Sequence, residues 1–155
     1  MDMTGEYRIA AERAAVWEAL NDEQVLKICI PGCEEIVRTS ETTLTAKVVQ
    51  KIGPVKAKFD SAIELVDIVA PERYTIQGEG QGGVAGFAKG AAVVTLEEDG
   101  AETILRYTAH AQIGGKLARV GSRLIDATAK KVAAQFFDNF HRHLHPEEDT
   151  EAASD

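Results

Sequence analysis

Four places in the sequence carry residue types that could do chemistry. Gly78-Glu79-Gly80-Gln81-Gly82-Gly83 matches the string of a dinucleotide-binding loop. That chemistry needs a helix to open directly after the glycines, so that its N-terminus meets a pyrophosphate. A strand-like run follows instead, and the glycine-rich stretch to Gly90 reads as a kinked strand or a flap at a pocket mouth. His141 and His145 share a helix face at the i, i+4 spacing of a metal pair, with His143 between them. Asp138 is the one further donor placed near them, and histidines at a helix C-terminus also suit the helix dipole. We read them as capping and solvent-facing groups.

Cys29 and Cys33 stand four apart without a second Cys/His pair at zinc-finger spacing. They read as two ordinary thiols beside a turn. His110 falls on the polar side of its strand with Arg106, Thr108 and Gln112. No paired carboxylates occupy the apolar faces, and no Ser or Cys stands beside a base in a recognisable constellation. The residues therefore predict a binding protein, not an enzyme.

The elements that would position a binding site follow from hydrophobic periodicity. Residues 6–10 read as a strand and residues 11–20 as a helix with Ala14, Trp17 and Leu20 on one side. A second short helix spans 23–28 and is stopped by Pro31-Gly32. From Glu34 the period changes to 2. Strands are predicted over 34–39, 42–52, 55–69, 73–80, 87–97 and 103–113. Gly53-Pro54, Ala70-Pro71-Glu72 and Asp99-Gly100 supply the turns. Such short connections imply hairpins and an antiparallel sheet. After Gly114-Gly115 a helical pattern runs to Leu144, with Leu117, Leu124, Thr128, Val132, Phe136 and Phe140 as its apolar stripe. The predicted class is α+β: about seven curved antiparallel strands around one long C-terminal helix, with two short helices after the first strand.

Composition sets outer limits. The 155 residues suit one domain, placed at 1–145, followed by an acidic tail at 146–155. The net charge is −8, but Glu147, Glu148, Asp149, Glu151 and Asp155 carry five of the negative charges, so the body is only mildly acidic. Neither part has the basic face that nucleic acid needs. No run approaches a membrane span, and the start lacks a signal-peptide pattern, which leads us to expect a cytoplasmic protein.

The alternation assigns Ala57, Ser61, Gly78, Gly80, Ala88, Gly90, Ala92, Ala109 and Ala111 to the inner face. Side chains this small cannot fill the space under a helix at ordinary interior density. Either the helix sits very close to the sheet, or a pocket is left for an apolar ligand. The curvature that glycines permit and the aromatic residues at the edges favour the pocket. Its expected lining is Phe59, Ser61, Tyr74, Phe87, Ala92, Tyr107, Leu124 and Phe136. Access is expected between the Gly78–Gly90 segment, the Ile30–Cys33 turn and the long helix.

Several stretches resemble one family. They are Ile30-Pro31-Gly32-Cys33-Glu34, the run from Lys51 to Phe59, Gly78-Glu79-Gly80, Phe87-Ala88-Lys89-Gly90, and the run from Gln112 to Ala118. In this order they resemble CoxG, the accessory protein of aerobic carbon monoxide dehydrogenases and related molybdenum hydroxylases, within the START-like superfamily. The resemblance implies a helix-grip fold with a hydrophobic cavity. It also implies a link between the hydroxylase and the inner face of the cell membrane, or electron transfer to a lipid quinone such as menaquinone. The family often continues into a membrane-binding C-terminal segment, where this chain has acidic residues. Two other readings remain open: a START-like cyclase or hydrolase of an aromatic compound, and an interaction module with a filled core.

Overall fold

The computed structural model describes residues 1–146, so the segment 147–155 lies outside the described residues. Seven strands form one antiparallel sheet: β1 (Asp2–Ile9), β2 (Cys33–Arg38), β3 (Thr43–Ile52), β4 (Val55–Val69), β5 (Arg73–Gln81), β6 (Phe87–Asp99) and β7 (Glu102–Gly114). Their order across the sheet is β1-β7-β6-β5-β4-β3-β2. Consecutive strands from β2 to β7 are hairpin neighbours, as the short turns require. Strand β1 closes the order by pairing with β7, Met3 opposite Ala109 and Tyr7 opposite Leu105.

Two short helices, α1 (Arg13–Leu20) and α2 (Glu23–Cys29), follow β1. Asp22 starts α2 by accepting a hydrogen bond from the Gln24 amide. The side chain of Arg38 clamps the bend between the two helices. Its guanidinium donates to the Asn21 carbonyl at 2.6 Å and reaches Glu23 at 3.2 Å.

The last helix, α3 (Ser122–Leu144), begins seven residues later than the sequence pattern suggests. Residues Gly115–Val120 instead form a 3₁₀ segment, and Gly121 turns the chain at φ +97° before α3 starts. The turn needs a positive φ that a side chain would resist. Leu117 thus belongs to the 3₁₀ segment, where it is buried, and not to the stripe of the long helix. The first strand is also longer at its N-terminal end than predicted, Asp2–Ile9 against 6–10.

The apolar residues form two clusters. The larger joins Val16, Leu20, Val25 and Cys29 of the short helices to Leu44, Leu65, Tyr74, Val94, Leu96 and Leu105 of the sheet and to Phe140 of α3. The smaller joins Ile52, Ala57 and Phe59 to Ala85 and Leu117, with Ile125 packed against it. Beside the larger cluster, Thr103 is fully buried and donates from Oγ1 to the Ala11 carbonyl at 2.8 Å. Asn139 donates to the Cys29 carbonyl at 3.1 Å and ties α3 to the end of α2.

This packing predicts two measurable losses. Phe140→Ala opens a hole where the side chain is 0% exposed, and urea denaturation should show a loss of about 3–5 kcal/mol. Thr103→Val keeps the shape but orphans the Ala11 carbonyl, and should cost about 1–3 kcal/mol in the same assay.

Candidate functional site

Beside the larger cluster the inner face of the sheet mixes small side chains with aliphatic ones. Register places Ala109, Ala92, Ile76 and Leu65 side by side across β7, β6, β5 and β4. The next row reads Ala111, Gly90, Gly78, Ile63 and Leu44. Gly90 cannot be enlarged, because a Cβ there would stand 2.3 Å from the His110 carbonyl oxygen. Above the first row α3 presents Ala133. Its bulky side chains lie at either end: Ile125 in the smaller cluster, and Phe136, Phe137 and Phe140 in the larger.

The result is a cavity of about 350 Å³ beneath α3. Its floor is Ile63, Ile76, Ala92, Val94, Leu105, Tyr107 and Ala109, and its roof is Ala133, Phe136 and Phe137. Leu20, Leu26, Ile30 and Ile36 close one side, with Asn21 and Arg38 at the wall. Phe137 stacks on Tyr7 at 3.9 Å between ring centres, and Phe136 meets Phe137 edge-on at 5.0 Å. These contacts fix the roof in place. Burial pushes the Tyr74 hydroxyl far above its ordinary pKa, so it stays protonated and able to donate. Burial likewise raises the Tyr107 hydroxyl, with a smaller contribution from Tyr7.

Of the eight residues expected at the pocket, Tyr74, Ala92, Tyr107 and Phe136 stand on this wall. The other four are placed elsewhere. Phe59 points inward but belongs to the smaller cluster, packed with Ala57 and Leu117. Ser61 lies beside it, its hydroxyl 3.1 Å from where a Gly80 Cβ would be. Phe87 covers Gly114, on the side of β6 opposite to inward-facing Ala88. Leu124 lies over Gly53 in the β3–β4 turn and is 37% exposed. The glycine-rich loop after β5 is not a wall of the cavity. It makes a short 3₁₀ turn, Gly83–Ala85, and inserts Ala85 into the smaller cluster.

Phe137, Ile63, Ile76, Leu26 and Ile36 were not among the expected site residues. Phe137 is recoverable from spacing, since Ala133, Phe136, Phe137 and Phe140 follow the i, i+3, i+4, i+7 pattern of one helix face. A stripe counted in steps of four drifts off that face.

The other residues with chemical potential sit apart from the cavity. His110 pairs with Asp2 on the outer face. His141 and His145 stand with their ring centres 4.8 Å apart and their planes tilted by 43° near the C-terminus of α3. No group of three or more metal-ligating side chains is found among the described residues. Cys29 and Cys33 are free thiols, and burial raises the Cys29 pKa to about 11. In the folded chain Cys29 should therefore react with maleimide far more slowly than in urea at neutral pH. Equal rates would show that α2 opens readily. Because the raised pKa keeps the thiol neutral, no stability is lost below the ordinary thiol pKa. A decline should appear as pH climbs from about 8.5 towards 11, where the unfolded chain ionises first, and Cys29→Ala should lessen it.

The fold and the sequence agree on relatives. The chain is similar to a conserved protein from Geobacillus kaustophilus of known structure, at 31% identity and a TM-score of 0.86, covering 92% of this chain and 94% of that one. A START superfamily protein from Mycobacterium smegmatis shares the fold at 11% identity and a TM-score of 0.70, covering 92% and 95%. An aromatase/cyclase from a Streptomyces species shares it at 12% identity and a TM-score of 0.64, covering 92% and 94%. No curated protein matches the sequence. The family model of CoxG, a carbon monoxide dehydrogenase subunit, spans residues 5–145, and the chain belongs to the CoxG family, with a START-like fold.

Proposed function

We propose that this chain is a non-enzymatic accessory protein that holds an apolar ligand in the cavity under α3. The ligand class is an isoprenoid quinone such as menaquinone, or another lipid. The partner is a molybdenum hydroxylase of the carbon monoxide dehydrogenase type, which the chain would link to the inner face of the membrane. The observation that carries this reading is the cavity itself. Its volume of about 350 Å³ falls in the range of small-molecule sites, roughly 300–1,000 Å³, and its wall is almost wholly aliphatic and aromatic. At that size it takes a head group and the first part of a tail.

Family membership supports the choice of partner. Support for a binding role, not a catalytic one, comes from the wall, whose ionisable side chains are two tyrosines and Arg38. Arg38 is already engaged by Glu23 at 3.2 Å and by the carbonyls of Asn21 and Glu41 at 2.6 and 2.9 Å. Tyr74 stands on the wall with its ring edge-on to Trp17, and we assign its protonated hydroxyl as the donor to a ligand carbonyl.

Two substitutions test the reading. In ligand-stripped protein, Ala92→Leu adds apolar surface where there is space, so chemical denaturation should show stability equal to or above that of the parent, while menaquinone uptake falls. A loss above about 1 kcal/mol would mean that the small residues serve close packing, and the ligand reading would fail. Tyr74→Phe should weaken quinone uptake by about fivefold to tenfold and leave uptake of a saturated hydrocarbon chain unchanged.

A further inference from the structure

The net charge of −8 hides a strong asymmetry. The segments 42–59, 80–96 and 103–125 contain no Asp or Glu at all. The fold brings parts of all three to one end. There the β3–β4 turn, the loop between β5 and β6, the 3₁₀ segment Gly115–Val120 and the first turn of α3 meet around the smaller cluster. A Cβ at Gly53 would stand 2.5 Å from Leu124, and a Cβ at Gly115 would stand 2.7 Å from Gly86, so these pieces are in direct contact.

Lys51, Lys56, Lys116, Arg119 and Arg123 are exposed at this end, and none forms an ion pair among the described residues. Lys51 and Lys56 face each other across the hairpin. Arg123 sits in the first turn of α3, which has neither an acidic residue nor a side-chain cap. Cations there oppose the helix dipole, and an anion would relieve the cost. The first acid along α3 is Asp126. Among these cations Val84 stands 93% exposed on a loop whose neighbour Gly83 has φ +61°.

We propose that this end of the molecule docks on an anionic lipid surface, with the five cations at the head groups and Val84 at the acyl boundary. Clusters of four to eight Lys/Arg beside an apolar tip suit anionic membranes. A stable protein interface wants roughly 800 Å² per partner with an apolar centre, and here the exposed apolar surface is Val84 and part of Leu124. End-on docking also keeps the acidic residues at the opposite end of the sheet, among them Asp99 and Glu102, away from the membrane, beyond a Debye length of about 8–10 Å. The proposal gives the membrane link above a surface and rests on that reading only for its biological purpose. Its test uses ligand-free protein and quinone-free vesicles, so its failure leaves the cavity reading standing.

The 155-residue chain is sedimented with vesicles of phosphatidylcholine alone or mixed with phosphatidylglycerol, at low and raised salt. The chain should bind the phosphatidylglycerol vesicles and be released by salt. K56E/R119E should lose at least about tenfold in binding, and Val84→Asp should weaken it further. Arg8→Glu, at the opposite end of the sheet beside Asp99 and Glu102, should change nothing. If the charge-reversed chain melts early, K56Q/R119Q with a normal melting curve takes its place. Equal binding to both vesicle types, no binding at low salt, or binding unmoved by the double substitution would overturn the proposal. Loss of a salt-sensitive complex with an acidic protein, without vesicle binding, would assign this end to that protein and likewise overturn it.

Discussion

Helix α3 can approach the sheet no more closely than its own bulky side chains allow, and this spacing governs everything else in the molecule. Near its start Ile125 packs against the smaller cluster, which includes Leu117, Phe59 and Ile52. Eleven residues later Phe136, Phe137 and Phe140 pack against the sheet and the two short helices. The stretch between, about 16 Å at 1.5 Å per residue, carries Ala129 and Ala133, and Ala133 stands on the cavity wall facing a floor in which Ala92 and Ala109 leave room among larger side chains. Both ends are propped and the middle is not filled, so a space remains. A fold that merely needed a core would place large side chains in that middle.

The props are themselves held. Tyr7 from the edge strand stacks under Phe137, Asn139 bonds the end of α2, and Trp17 meets Tyr74 edge-on at 4.9 Å between ring centres. Arg38 locks the bend between α1 and α2, the elements that close one side of the cavity. The larger cluster and the cavity wall therefore share residues, among them Leu44, Leu65, Tyr74 and Leu105. Ligand occupancy and stability should consequently be coupled, since whatever fills the space adds contacts to the same residues that hold the helices.

Much of this was legible in the sequence, because period and turn chemistry are local. Alternation along β4 separated Ala57, Phe59, Ile63 and Leu65 from Lys56, Lys58, Asp60 and Glu64, and the burial pattern agrees. What was not legible was depth along the inner face. Phe59 and Ile63 point the same way, yet only Ile63 reaches the cavity, because the 3₁₀ segment carrying Leu117 drops onto Phe59. That segment reads as helix by composition, and only the positive φ of Gly121 separates it from α3. Phe87 was expected at the pocket as an aromatic residue at its edge, and Leu124 as part of the apolar stripe of the long helix. Phe87 has the parity of the outer face, and Leu124 is claimed by the β3–β4 turn. The basic end escaped notice for a different reason: its cations come from three distant segments that only the fold assembles.

In the working protein the space under α3 should be occupied by an apolar molecule. The most direct measurement is mass spectrometry of the protein purified from a quinone-producing host, under native conditions and after organic extraction. The account predicts a substoichiometric to stoichiometric lipid or isoprenoid quinone, released by extraction and absent from Ala92→Leu prepared in parallel. A chain that is uniformly empty, and that takes up neither quinone nor fatty acid when these are supplied in detergent, would contradict it.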